Sequence, residues 1–267
     1  MSTRIDLNAD LGEGFGPWRL GNDAALLDIV TSANVACGFH AGDPDIMVET
    51  AAAARMRGVA IGAHPGFFDL RGFGRNRIQE SPRRIERDIA YQIGALQACA
   101  ALAGARVTHV KAHGALANLS NEDEAMAAAL ARAVAGVDPR LVLVVMPGLA
   151  AERAAERAGL SVVREIYADR AYAEDGTLAL RGTPGAVIHD AEEAAARVVR
   201  MVGEGAVLTL GGQRFPVAID TVCVHGDNPE ALAMAQAVRA GLEGAGYRLR
   251  PFAESLAEPF ADSHPGS

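Results

Sequence analysis

Polar side chains suited to acid–base chemistry recur at every second position in three short, otherwise apolar runs of this chain. Residues two apart in a strand share one face, so each polar set would project from one side of its strand. Burying ionisable groups is costly, so a strand face that carries several of them predicts a functional site. The three sets are Asp6, Asn8 and Asp10; His109, Lys111 and His113; and Cys223, His225 and Asp227.

Further polar residues follow the ends of other predicted strands. Arg71 and Arg75 flank a glycine-rich turn and could clamp a carboxylate. If the site performs a hydrolysis, a general base must accept a proton from water, and Asp10, His40 and His64 are all candidates for it. The additional candidates are Asn34 in the second strand, Gly38 and His40 after it, His64 at the end of the third, and Glu165, Asp169 and Arg170 along and after the sixth.

Lys111 is the one lysine among 25 basic residues, and all the others are arginine. A lysine ammonium is compact, can lose its proton, and can direct its donors at a single oxyanion where a planar guanidinium does not fit. Its place between His109 and His113 therefore favours a role in the chemistry over a surface position.

A metal site is left open by the sequence. His40, His64, His113 and His225, with Asp6 and Asp10, are suitable residue types for Zn²⁺ or Mn²⁺. No HExxH motif occurs, so such ligands would have to converge from separate strands.

Short β-branched runs alternate with alanine-rich amphipathic stretches along the whole chain. Asp43, Ser81 and Asn228 each precede a proline and predict helix N-caps, and Ser120 with Asp123 resembles a capping box. Strands are predicted at 4–8, 32–37, 59–64, 106–112, 141–146, 162–167 and 221–225, with a hairpin of 207–210 and 215–218. Helices are predicted at 24–30, 43–56, 81–103, 122–135, 148–158, 190–203 and 229–242.

This alternation predicts an α/β fold with a mainly parallel sheet, either open and doubly wound or closed into a barrel. Neither a GxGxxG nor a GxxxxGK[ST] loop is present, so no dinucleotide or nucleoside-triphosphate loop is predicted. No linker divides the chain, which predicts one domain over residues 1–251 and a loose tail over 252–267. In a parallel barrel the active site lies at the carboxyl ends of the strands. We therefore expect one pocket there, lined by Asp6, Asn8, Asp10, His40, His64, Lys111, His113, His225 and Asp227.

The composition is that of an ordinary globular protein with an acidic balance. A net charge of −8 and a pI near 5.4 argue against a nucleic-acid or anionic-membrane binder. The three cysteines do not form a disulfide framework, and neither a signal peptide nor a membrane span is apparent, so a cytoplasmic location is expected.

Seven segments, taken together and in order, resemble the LamB/YcsF family. They are Ile5–Glu13, Ser32–Asp43, Gly62–Pro65, Gly72–Arg75, His109–Leu116, Ala168–Tyr172 and Cys223–Asp227. The resemblance spans about residues 4–251. Gly66, Asn76, Ala112 and Ala117 depart from the residues that the family favours, which puts the fit of the substrate in question more than the chemistry.

The resemblance implies a distorted seven-stranded β/α barrel similar to the glycoside hydrolase and deacetylase barrels. It implies ATP-dependent hydrolytic opening of 5-oxoproline to L-glutamate beside two partner chains, the B and C subunits of the family. Under this interpretation Asp10, His40, His64, Lys111, His113, Asp169 and Arg170 would be catalytic. The substrate would be bound by Asp6, Asn8, Asn34, Gly38, Arg71, Arg75, His225 and Asp227.

Within that interpretation Lys111 and Arg170 would hold a phosphoryl group or an oxyanion, while Asn8 and Asn34 would orient the lactam. ATP would be consumed on the partner subunits, because this chain shows no phosphate loop. Two alternatives stay open: a stand-alone metal-dependent amidohydrolase or deacetylase, and a non-catalytic subunit that binds a small acid.

Overall fold

A computed structural model of the chain describes residues 4–180, 182–225 and 231–255. Seven parallel strands form a closed barrel, because the first strand pairs with both the second and the last of them. In barrel order they are β1 (Arg4–Leu11), β2 (Ser32–Ala36), β3 (Ala60–His64), β4 (Val107–Lys111), β5 (Val142–Val145), β6 (Val162–Tyr167) and β9 (Thr221–Val224). The predicted barrel is therefore confirmed, and the open doubly wound sheet is not found.

Helices surround the barrel and bury its outward-facing aliphatic residues, among them Leu7, Val110 and Ile166. The N-caps predicted at Asp43 and Ser81 are confirmed: each side chain accepts a hydrogen bond from a backbone amide of the first turn. The helices are α1 (Asp23–Leu27), α2 (Pro44–Met56), α3 (Pro82–Leu102), α4 (Gly114–Glu122), α5 (Glu124–Val137), α6 (Ala150–Arg157), α7 (Ala191–Glu204), α8 (Ala231–Gly244) and α9 (Phe252–Ser255).

One predicted helix start was wrong, and its environment explains why. Asp123 caps α5 by accepting hydrogen bonds from the amides of Ala125 and Met126. Ser120 is instead a buried residue inside α4, a helix that the sequence analysis did not predict. The cap predicted at Asn228 lies outside the described residues.

Two small additions extend the barrel architecture. β7 (Ala206–Leu208) and β8 (Arg214–Pro216) form the predicted hairpin, and β10 (Arg248–Leu249) pairs with the start of β1. Phe252 then enters the barrel at the end where the strands begin, where it is buried against Val142, Val144 and Val163. The expectation of a loose segment from residue 252 onward therefore fails for Phe252 itself.

None of the helices among the described residues is long and apolar enough to cross a membrane.

Candidate active site

A hydrogen-bonded polar network occupies much of the inside of the barrel, where parallel barrels usually have aliphatic layers. Asn8 donates to Glu165 and Thr221, and its side-chain oxygen accepts from Asn34. Gly62 lies beside the His109 ring, and a Cβ at that position would lie 2.1 Å from the imidazole. The glycine therefore makes room for a buried histidine whose pKa burial lowers to about 3.

Asp6 forms the end of this network nearest the start of the strands. Its carboxylate accepts hydrogen bonds from the hydroxyls of Thr31, Ser32 and Thr221, and from the backbone amide of Phe252. Burial nevertheless raises the pKa of Asp6 to about 6. Asp6 is thus a structural residue inside the barrel.

Lys111 lies at the centre of the network, one level nearer the carboxyl ends of the strands. Its Nζ is 2.8 Å from Glu165 Oε1, 3.0 Å from Asp10 Oδ1, 2.9 Å from Cys223 Sγ and 3.3 Å from Asn8 Oδ1. Burial alone would lower the pKa of Lys111, but the attraction of Asp10, Cys223 and Glu165 raises it well above the usual value. The side chain is therefore a fixed ammonium whose donors already have acceptors.

Asp10 connects this network with the open end of the barrel. Its Oδ2 lies 3.3 Å from His64 Nε2, and its Oδ1 accepts from Lys111 and Asn34. Burial alone would raise the pKa of Asp10, but the charges of His64 and Lys111 hold it well below the usual range. Asp10 is consequently an ionised carboxylate at the base of the pocket.

Glu13, His40, His64 and His113 form a compact group beside Asp10, which we call the histidine cluster. Each offers one ligand atom, and these four atoms all lie within 4.8 Å of one another. The rings of His40 and His113 stack with centroids 3.8 Å apart, and His113 Nδ1 lies 3.0 Å from His64 Nε2. All four residues are buried, so this cluster could bind a metal ion.

His225 forms a second acid–base pair in the pocket wall, directly after β9. Its Nδ1 lies 2.7 Å from Asp169 Oδ2, and its ring stacks on Tyr167. Burial by itself would lower the pKa of His225, but the Asp169 carboxylate raises it above the usual value. The pair resembles the carboxylate–imidazole arrangement that orients a catalytic histidine.

These groups open into a cavity of about 490 Å³ at the carboxyl ends of the strands. Arg75 contributes an exposed guanidinium to its wall, and Arg170 lines it while donating to the carbonyl oxygens of Ala179 and Ala186. Arg170 thereby ties Ala179 and Ala186 to the loop that follows β6. The other ionisable residues that line the cavity are Asp10, Glu13, His64, Lys111, His113, Glu122, Tyr167, Asp175 and His225.

The structure gathers five of the nine residues that we expected around one pocket: Asp10, His64, Lys111, His113 and His225. For three others the expectation was wrong. Asp6 and Asn8 lie inside the barrel beneath the pocket, and His40 is fully buried behind His113. Asp227 lies outside the described residues.

The remaining candidates lie in the pocket, in the inner network, or outside both. Asp169, Arg170 and Arg75 belong to the pocket or its wall, whereas Asn34 belongs to the inner network. Gly38 forms a turn with a φ of +94° whose amide donates to Ala41, and the exposed Arg71 does not line the pocket. Neither of the latter two contacts the groups described above.

Two functional candidates were missing from the predicted set: Glu13 and Tyr167. Tyr167 alternates with the predicted candidate Glu165 along β6, and both point inward, a pattern that could have been found in the same way as on β1. Glu13 follows β1 in a glycine-rich loop, where alternation gives no signal, and only the folded chain brings it to His40.

Comparison with known proteins agrees with this geometry. The model of the LamB/YcsF family matches residues 5–257. The chain belongs to the LamB/YcsF family. A relative from Rhodopseudomonas palustris strain BisA53, named as the A subunit of 5-oxoprolinase, is 56% identical over 252 residues, covering 94% of this chain and 99% of that protein. A relative of the same name from Gluconobacter oxydans is 56% identical over 246 residues, covering 92% and 97%.

Two solved structures are similar to this chain. The lactam utilization protein of Thermus thermophilus superposes with a TM-score of 0.88 at 48% identity, covering 92% of this chain and 99% of that one. The catalytic domain of a peptidoglycan N-acetylglucosamine deacetylase from Eubacterium rectale gives a TM-score of 0.51 at 12% identity, covering 94% and 89%. The second likeness shows the fold alone, and it supports the expected similarity to deacetylase barrels.

Proposed function

We propose that this chain opens the ring of 5-oxoproline by hydrolysis to L-glutamate, as one component of an ATP-consuming 5-oxoprolinase that also contains the B and C subunits. The names of its close relatives support the substrate and the existence of other subunits. The observation that carries the proposal is a pocket with an ionised carboxylate, Asp10, at its base and an oriented imidazole, His225, on its wall.

The pocket offers a complement for each polar part of 5-oxoproline, which is a small carboxylic acid with one lactam group. The guanidinium of Arg75 can bind the carboxylate in a bidentate manner. A cavity of about 490 Å³ is large for this substrate alone, so it leaves room for an attacking water and for a phosphoryl group on the lactam oxygen.

Hydrolysis forms a C–O bond from water to the lactam carbon and breaks the ring C–N bond, and the released nitrogen must gain a proton. Asp10 is suited to orient the water and to accept its proton as the C–O bond forms, because the neighbouring His64 and Lys111 keep it ionised. His225 is suited to donate a proton to the nitrogen, because Asp169 raises the pKa of the ring.

Coupling to ATP has a chemical reason. The amine and carboxyl groups of the product remain on one short chain at high effective molarity, so reclosure competes with hydrolysis. Phosphorylation of the lactam oxygen would give a better electrophile. Addition of water and cleavage of the ring C–N bond would then give the acyl phosphate of glutamate, and a second water would cleave it to glutamate and inorganic phosphate. The sequence contains no phosphate-binding loop motif, so we assign the phosphorylation to the partner subunits.

Reconstitution tests this proposal. The chain is assayed alone, and then together with the B and C subunits, for glutamate and inorganic phosphate released from 5-oxoproline and ATP. We expect both products from the mixture and neither from the chain alone. Glutamate release by the chain alone without ATP would favour the stand-alone amidohydrolase, and no glutamate from a complete mixture would contradict the proposal.

A further inference from the structure

His40 presents an unusual polar side chain at the centre of the histidine cluster. The residue is fully buried, and neither Nδ1 nor Nε2 has a hydrogen-bond partner within the described part of the chain. Its Nε2 lies 3.6 Å from Glu13 Oε1, and its ring stacks on His113. Buried polar groups in native proteins are nearly always paired, so an unpaired one requires an explanation.

The two neighbouring imidazoles bring two ring nitrogens face to face. His64 Nδ1 lies 2.7 Å from the Lys111 carbonyl oxygen, and His113 Nε2 lies 2.8 Å from the Phe73 carbonyl oxygen. A carbonyl only accepts, so each of these nitrogens carries a hydrogen. The other two nitrogens, His64 Nε2 and His113 Nδ1, face each other at 3.0 Å. Such a pair of ring nitrogens needs a cation between them, either a proton that they share or a metal ion that both bind.

We propose that Glu13, His40, His64 and His113 bind one divalent transition-metal ion of the Zn²⁺ type. The ligand atoms are Glu13 Oε1, His40 Nε2, His64 Nε2 and His113 Nδ1. Three imidazoles and one carboxylate suit zinc and its first-row neighbours, whereas Mg²⁺ and Ca²⁺ prefer oxygen ligands.

Three of the six separations among these atoms are close to those of a tetrahedral site, and all six are within 4.8 Å, so a rotation of the stacked His40 and His113 rings would complete the site. Metal–ligand distances of about 2.0–2.1 Å place tetrahedral ligand atoms about 3.3 Å apart. The measured separations are 3.0 Å between His113 Nδ1 and His64 Nε2, and 3.6 Å from Glu13 Oε1 to His40 Nε2 and to His113 Nδ1. The carbonyl oxygens of Lys111 and Phe73 act as the outer hydrogen-bond partners that commonly orient metal-binding histidines.

A second group of donors nearby is a weaker candidate. Asp10, Cys223 and His225 also bring ligand atoms within 4.8 Å of one another. However, Lys111 Nζ lies 3.0 Å from Asp10 Oδ1 and 2.9 Å from Cys223 Sγ, so an ammonium already provides the cation there. The structure therefore assigns the metal to the histidine cluster.

Metal binding can be measured without any turnover. A chain that binds no metal can therefore be distinguished from a chain that does not open the lactam. The full chain is stripped with a chelator and titrated with Zn²⁺ by calorimetry and with Co²⁺ by visible absorption. We expect one equivalent of either ion per chain, and for Co²⁺ the intense d–d bands of a tetrahedral site.

Variants identify the ligands. His40→Ala removes a ring that makes no hydrogen bond within the described residues, and Glu13→Gln keeps the size of the side chain, so a folding defect in one leaves the other informative. Each should weaken Zn²⁺ binding by at least about 100-fold, since even the outer partners of metal ligands are worth about 10–100-fold. Cys223→Ala and the exposed His189→Ala serve as controls and should bind as wild type does.

Three results would overturn the proposal. The first is that the wild-type chain binds less than a tenth of an equivalent of either ion. In that case a proton, and not a metal ion, would lie between His64 and His113. The second is unchanged binding by both ligand variants. The third is loss of the site in Cys223→Ala, which would move the metal to the second group.

Discussion

Replacing Lys111 by methionine tests whether the ammonium holds the inner network together. The Nζ lies 2.8 Å from Glu165 Oε1 and 3.0 Å from Asp10 Oδ1, and the lysine is 3% exposed. Each attraction amounts to about 5–6 kcal/mol at an effective dielectric constant of about 20, before the cost of desolvation. Breaking a buried pair by removing one partner costs about 3–5 kcal/mol in net terms. We expect Lys111→Met to lower the free energy of unfolding by that amount.

Urea unfolding in the presence of a chelator measures this loss, and circular dichroism is the suitable probe because the single tryptophan, Trp18, is 69% exposed. Adding Glu165→Gln to Lys111→Met removes one unpaired charge and should recover at least about 1 kcal/mol. The control Arg132→Met breaks an exposed pair with Glu86 and should cost less than about 1 kcal/mol. A Lys111→Met protein as stable as the control, or a double variant less stable than the single one, would refute this reasoning.

Three further predictions concern single residues. Because the pKa of Asp6 is raised from 3.8 to about 6, the stability contributed by its neutral form is complete below pH 3.8 and is lost as the pH rises through about 6. In urea unfolding, the stability of wild type relative to Asp6→Asn should therefore fall by about 3 kcal/mol between about pH 4 and pH 7. Asp169→Asn should lower the pKa of His225 in an NMR titration, and an unchanged midpoint would contradict the assigned pairing. Gly62→Ala should lower the free energy of unfolding by about 1–3 kcal/mol, because the added methyl group overpacks the barrel. Gly94→Ala, on an exposed helix face, should raise it by up to about 1 kcal/mol. Thermal or urea unfolding measures both, and equal effects would refute the packing argument.

Much of the architecture follows from local sequence signals. The strand predicted at 162–167 matches β6, and the caps at Asp43 and Ser81 fall where a polar residue precedes proline. The helix α4 was missed because it begins at Gly114, whose φ is +53°, and is only nine residues long. Its stability comes from packing against α5 and α6, which a local pattern does not report.

The candidate site shows the same division between local and long-range information. Alternation on β1 correctly placed Asp6, Asn8 and Asp10 on one face of the strand. A period of two does not determine how far along the barrel axis each side chain lies. Strand register sets that height: Asp6 pairs with Thr221 at the lower level, and Asp10 extends to the pocket. Glu13 and His40 meet across two loops, so only the folded chain brings them together.

The central claim is that this pocket opens the lactam, and glutamate formation by the reconstituted complex tests it most directly. The wild-type chain is compared with Asp10→Asn and with the surface control Asp28→Asn. Asp28 pairs with Arg57 on the exterior, whereas Asp10 lies at the base of the pocket. Loss of a group that transfers a proton in the reaction costs about 10²–10⁴-fold in rate. We therefore predict at least a 100-fold loss of ATP-dependent glutamate release for Asp10→Asn, with Asp28→Asn matching wild type. Full glutamate release by Asp10→Asn would contradict the claim that this pocket opens the lactam.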